Sequence, residues 1–88
     1  MIEREVEVVN PLGLHARTSA RLAQFASSFG CRITVVKGSR EVNAKSIMGL
    51  MLLAAGRGTR LVLRCDGDDE ADAAQALAAL FARGFGES

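Results

Sequence analysis

Arg32-Ile33-Thr34-Val35-Val36-Lys37-Gly38-Ser39-Arg40-Glu41-Val42-Asn43 reads as two strands in immediate succession. Arg32 to Lys37 and Arg40 to Asn43 are rich in β-branched residues, and the two-residue Gly38-Ser39 connection suits a hairpin turn. Ile33 and Val35 face the core in this reading. Upstream, Ala16 to Phe29 places Leu22, Phe25, Ala26 and Phe29 at helical spacing, with Gly30 as the helix stop. Further upstream, Ile2 to Val9 sets Ile2, Val6 and Val8 on one side and Glu3, Glu5 and Glu7 on the other, a half-buried strand that Asn10 and Pro11 end.

Downstream of the hairpin, Ser46 stands where a helix N-cap belongs, before the short apolar run Ile47 to Ala55 and its stop at Gly56. Leu50 and Leu53 belong to the core on this reading. Arg60 to Cys65 alternates again, with Leu61, Leu63 and Cys65 inward and Arg60 and Arg64 outward, where they can meet the glutamates of the first strand. That makes the first and last strands neighbours, although exposed ion pairs are worth only about 0.2–1 kcal/mol. Asp66-Gly67-Asp68-Asp69-Glu70 provides a turn and the negative charge a helix start favours, and Ala74, Leu77, Leu80 and Phe81 follow at helical spacing to near Gly84. The order is β-α-β-β-α-β-α, an α+β domain over residues 1–88 with a four-stranded sheet covered on one face by three helices.

The chain has 88 residues, enough for one domain with a modest core. Eleven Lys and Arg against ten Asp and Glu give a formal charge of +1, so binding of a charged ligand must be local. Tyr and Trp are absent, which together with the near-neutral charge argues against an RNA-binding domain. Cys31 and Cys65 are far apart in sequence and read as reduced core thiols, with no spacing that suggests a metal or a cofactor. Met1-Ile2-Glu3-Arg4-Glu5 is too charged for a signal peptide, and no apolar run is long enough to cross a membrane, so a cytoplasmic protein is expected.

Chemistry centres on Gly13-Leu14-His15-Ala16-Arg17, which holds the only histidine and places it directly before the first helix. A helix start has unpaired N–H groups and partial positive charge, so the backbone of Ala16, Arg17 and Thr18 offers donors to an anion carried by His15. The same positive end disfavours imidazolium and favours a neutral, nucleophilic ring nitrogen. Arg17 can add charge-assisted hydrogen bonds in a fixed fork geometry. Phosphoryl transfer asks a protein mainly for position and charge stabilisation, and these groups suffice without a metal. The bland alternative is a loop histidine beside a solvated arginine.

At these residues the sequence closely resembles the HPr family, the histidine-containing phosphocarriers of the bacterial phosphoenolpyruvate-dependent sugar phosphotransferase system. Gly13-Leu14-His15-Ala16-Arg17 resembles the family's active-site motif, and Asn43-Ala44-Lys45-Ser46-Ile47-Met48-Gly49-Leu50 resembles its second segment, in a match over nearly the whole chain. The resemblance implies an open-faced sandwich with strand order 1-4-2-3, and a relay in which Enzyme I donates to His15 Nδ1 and an Enzyme IIA domain receives. It implies a docking surface on the first two helices, here Ala20, Ile47, Met48 and Met51; the sequence leaves oligomerisation open, and a carrier that must show this face to successive partners works most simply as a monomer. Ser46 resembles the serine that an HPr kinase modifies; as an N-cap it also has a purely structural reading.

The chain departs from the family in one place. Pro-Ala usually follows His-Ala-Arg, and here Thr18-Ser19 stands instead. Thr18 keeps a backbone donor that proline lacks and adds a hydroxyl, which either gives a phosphate a further ligand or loosens the helix entrance. The departure leaves a second reading, a specialised regulatory or nitrogen-branch member acting through phosphorylation-dependent binding.

Overall fold

The computed structural model describes residues 1–87. Its alternating Val, Leu and Ile residues turn one side of each strand toward the helices, as the period of two requires. Strands β1 (Ile2–Glu7), β2 (Arg32–Lys37), β3 (Arg40–Asn43) and β4 (Arg60–Asp66) form one antiparallel sheet in the order β1-β4-β2-β3. Helices α1 (Ala16–Ala26), α2 (Ile47–Leu52) and α3 (Glu70–Ala82) complete the β-α-β-β-α-β-α order, and a 3-10 turn, Gly84–Gly86, follows α3. Ile33, Val35, Leu61, Leu63 and Cys65 are buried on the inner side of the sheet, and Leu22, Ala26, Leu50, Leu53, Leu77, Leu80 and Phe81 are buried on the helices.

The pairing of the first and last strands follows the charge pattern. Glu3 stands opposite Arg64 and Glu7 opposite Arg60 in the β1/β4 register. Arg64 donates to Glu3 at 2.7 Å and to Glu41 on β3 at 2.6 Å, and Arg60 donates diagonally to Glu5 at 2.9 Å. These pairs lie on the open face of the sheet, where solvent weakens them. Cys31 and Cys65 are free thiols in the core; burial, before the nearby Asp69, pushes the Cys31 thiol up to about 11.

Three expected element ends move. The first strand stops at Glu7 rather than Val9, although Val8 still donates to the Thr59 carbonyl at 2.9 Å and accepts from Gly58 N–H at 2.7 Å. α1 ends at Ala26, because the hydroxyls of Ser27 and Ser28 turn back to the carbonyls of Ala23 and Phe25 and compete with the helix ladder. Gly30 therefore does not cap it. α2 ends at Leu52, and the chain leaves it through Ala54, a residue with φ +50°, rather than at Gly56. Its last carbonyls have partners from the hairpin: Lys37 Nζ donates to Leu53 at 2.9 Å, and Arg40 donates to Leu52 at 2.7 Å. Cations at a helix C-terminus satisfy both its orphan acceptors and its dipole.

Gly13 explains how the segment between β1 and α1 is held. It has φ +67°, and a side chain there would meet the Ala55 carbonyl and come within 2.8 Å of Gly56 Cα. Leu14 N–H donates to that same Ala55 carbonyl at 2.9 Å. The residue before the histidine is thus tied to the loop after α2.

Candidate functional site

His15 is the N-cap of α1, with extended backbone angles (φ −88°, ψ −174°). The first ladder bond of the helix runs from Ser19 N–H to the His15 carbonyl at 2.8 Å, so the N–H groups of Ala16, Arg17 and Thr18 precede the ladder. Arg17 N–H donates to His15 Nδ1 at 3.3 Å. On the other side of the ring, Nε2 lies 3.0 Å from Glu87 Oε2 and 3.4 Å from Oε1. The His15 side chain remains 27 % exposed, and that of Glu87 is 13 % exposed. An acceptor beside Nε2 and a donor beside Nδ1 together select the neutral tautomer with hydrogen on Nε2 and a lone pair on Nδ1.

Thr18 resolves the question its position raised, and neither expected role describes it. Its hydroxyl is fully buried, donates to the Gly13 carbonyl at 2.7 Å and accepts from His15 N–H at 3.1 Å. It closes a capping box and tightens the helix entrance. With both partners inside the turn, the hydroxyl is not directed at the ring nitrogens as a phosphate ligand.

Arg17 is exposed at the same helix end. With Pro11, Leu12, Arg21, Gly86 and Glu87 it lines a shallow cleft of about 360 Å³ beside the histidine. Ser46 caps α2, its Oγ accepting from Gly49 N–H at 3.0 Å. Met48 is 75 % exposed, Ile47 and Met51 are also exposed, and Ala20 is half-buried on α1, which packs against α2. Leu12 and Leu52 add two exposed apolar side chains that the sequence reading did not single out.

Asn10 and Glu87 are the polar residues that reading missed. Buried Asn10 uses its amide nitrogen twice, donating to the Gly13 carbonyl at 2.8 Å and to Glu87 Oε1 at 3.0 Å. The Asn10 amide, and after it His15, holds the Glu87 carboxyl below the usual carboxylate range. An Asn-Pro pair reads as a turn, and a glutamate 72 residues from the histidine has no local signal.

The family profile described as the PTS HPr component phosphorylation site matches residues 2–83. The phosphocarrier protein HPr of Xylella fastidiosa is 54% identical over 87 residues, covering 99% of this chain and 98% of that protein. The phosphocarrier protein NPr of Shewanella violacea is 40% identical over 87 residues, covering 99% of this chain and 96% of its own. The crystal structure of HPr-C-His from Thermoanaerobacter tengcongensis superposes with a TM-score of 0.96 at 45% identity, covering 100% of this chain and 99% of that one. A helix-capping histidine on an open-faced antiparallel sandwich is thus the architecture of a phosphocarrier rather than of an enzyme class. The chain belongs to the HPr family of the phosphotransferase system.

Proposed function

We propose that this chain accepts a phosphoryl group from Enzyme I on Nδ1 of His15 and passes it to Enzyme IIA proteins. The observation that carries the reading is the position of Nδ1, which faces the Arg17 N–H across 3.3 Å at the open end of α1. A phosphate on that nitrogen would meet the first-turn amides of Ala16, Arg17 and Thr18 and the positive end of the helix. The Arg17 guanidinium adds charge-assisted bonds to its oxygens. No small molecule turns over; the group moves from one protein nitrogen to the next, in the cytoplasm.

Docking uses the exposed apolar side chains of Ile47, Met48 and Met51 with Ala20, because methionine adapts its shape to more than one partner. A carrier that shows one face to successive partners works as a monomer. Phosphorylation of Ser46 by an HPr kinase would place negative charge beside that face and weaken docking, while the start of α2 tolerates the charge. The regulatory and nitrogen-branch alternative would make such binding the main role; the histidine and its helix end favour the relay.

Incubation with phosphoenolpyruvate and Enzyme I, followed by intact mass, is expected to show one acid-labile phosphoryl group. His15→Ala is expected to take none. A His15→Ala chain that still gains an acid-labile phosphate overturns the assignment.

A further inference from the structure

The strand order leaves β1 at one edge of the sheet, with a row of backbone groups that no other strand pairs among the described residues. Val8 turns both its N–H and its C=O to the residues just before β4. By alternation Ile2, Arg4 and Val6 bond β4, and the backbone groups of Glu3, Glu5 and Glu7 face outward. β3, at the other edge, has only four residues against six in β1. Beside β1, the small side chains of Ala78 and Ala82 on α3 leave open a groove of about 390 Å³, which Arg4, Val6, Val9 and Phe81 also line. Val9 is 41 % exposed there. The side chains of Glu3, Glu5 and Glu7 lie on the opposite, open face of the sheet. Arg64 and Arg60 pair with Glu3 and Glu5, and Glu7 has no ion pair among the described residues.

We propose that the β1 edge and the groove beside it dock an extended segment of a partner protein that alternates cationic and apolar residues. The segment adds a strand to the sheet, its main chain bonded to the outward groups of Glu3, Glu5 and Glu7. Directly opposite residues share a face, so the positions facing the three glutamates carry Lys or Arg, and the positions between them lie over the groove. Opposite Val6 an apolar side chain fills the groove; opposite Arg4 a carboxylate suits the exposed guanidinium. Glu7, the carboxylate without a partner, gains most from the incoming cation. A second copy of the chain is a poor occupant, because pairing two β1 strands antiparallel through their outward groups sets glutamate opposite glutamate, and like charges directly opposite destabilise a pair. The edge is thus guarded against its own kind and open to a basic strand. Neither His15 nor the apolar patch of α2 takes part, so the inference stands apart from the relay.

The test uses the whole chain and a capped peptide, Val-Lys-Val-Lys-Glu-Lys-Val, whose residues run opposite Val8 back to Ile2. A scrambled peptide, Lys-Lys-Lys-Val-Val-Val-Glu, keeps the composition and loses the alternation. The first is expected to slow hydrogen exchange at the amides of Glu3, Glu5 and Glu7, read by NMR, and to bind about tenfold tighter than the second, since only alternation serves both faces at once. Glu7→Lys is expected to weaken binding about fivefold, a cross-strand attraction having become a repulsion. Glu5→Ala removes a charge and keeps the outward N–H; Glu5→Pro removes that N–H as well, which an edge strand tolerates. The proline variant is expected to bind about fivefold more weakly than the alanine variant. Equal binding of the two peptides, native affinity in Glu7→Lys, or slowed exchange at β3 in place of β1 overturns the inference. So does association of the native chain through β1 without peptide, which makes a second copy the occupant.

Discussion

Arg17 separates charge from scaffold at the scale of one residue. Its backbone N–H holds Nδ1 of His15, while its side chain is exposed and lines the cleft beside the ring. The backbone part survives substitution and the guanidinium does not. Arg17→Ala is therefore expected to slow phosphorylation by Enzyme I about a hundredfold, the scale seen when a donor to developing charge is removed, with little change in melting temperature. Arg17→Lys is expected to recover part of the rate, because an ammonium brings the charge without the fork. Transfer kinetics within twofold of native in the alanine variant would show that the helix end alone carries the phosphate. His15 and Arg17 were legible in sequence because they sit together in one short motif. Glu87 was not, because contacts distant in sequence bring it to the ring, the packing of Phe85 against Phe81 and the Asn10 amide at Oε1 among them.

The entrance of α1 shows how an element absorbs a change at one position. Proline at position 18 would remove a backbone N–H that the helix ladder does not use; threonine retains it and turns its hydroxyl inward between Gly13 and His15. Thr18→Ala is expected to cost about 1 kcal/mol, the usual worth of a capping interaction, measured as a lower urea midpoint at unchanged slope. Gly13 still receives bonds from Asn10 and from His15 N–H, so the loop should keep its course. A neutral Thr18→Ala would mean that those two bonds alone define the entrance. Helix starts were readable at Ser46 and at the acidic run before α3 because caps and charges act within one turn. Helix ends were harder to read: α2 stops where Lys37 and Arg40 take its carbonyls, and those cations come from strands 12 to 16 residues away.

Over the whole molecule, periodicity decided which residues face the core, and the glutamates of the first strand with the arginines of the last suggested neighbours without a register, which the structure supplies as Glu3 opposite Arg64. The long-range polar clamps carried no such signature, and they set the response to acid. Asp69 accepts from Gly30 N–H at 2.8 Å and Cys31 N–H at 2.9 Å, joining the start of α3 to the connection between α1 and β2. Those bonds hold its carboxyl below the usual 3.8, Gly30 contributing most. Glu70 is lowered from 4.5 by Gly67 N–H and then by the Met1 ammonium at 3.0 Å, and Glu87 is lowered from the same value by Asn10 and His15. Each group has a lower pKa folded than unfolded, so its contribution is fully present above the unfolded value and is lost as pH falls through the folded one. The melting temperature should therefore hold steady for these groups from neutral pH down to about 5 and decline below about 4.5. Asp69→Asn leaves one good acceptor where two backbone donors converge, so it should melt lower than the native chain at pH 7. Its acid decline should also be shallower, because the charge that protonation would remove is already gone. If calorimetry from pH 3 to 7 gave parallel curves for the two proteins, Asp69 would be no part of what acid unfastens, and the connection between α1 and β2 would have to be held by its apolar contacts alone.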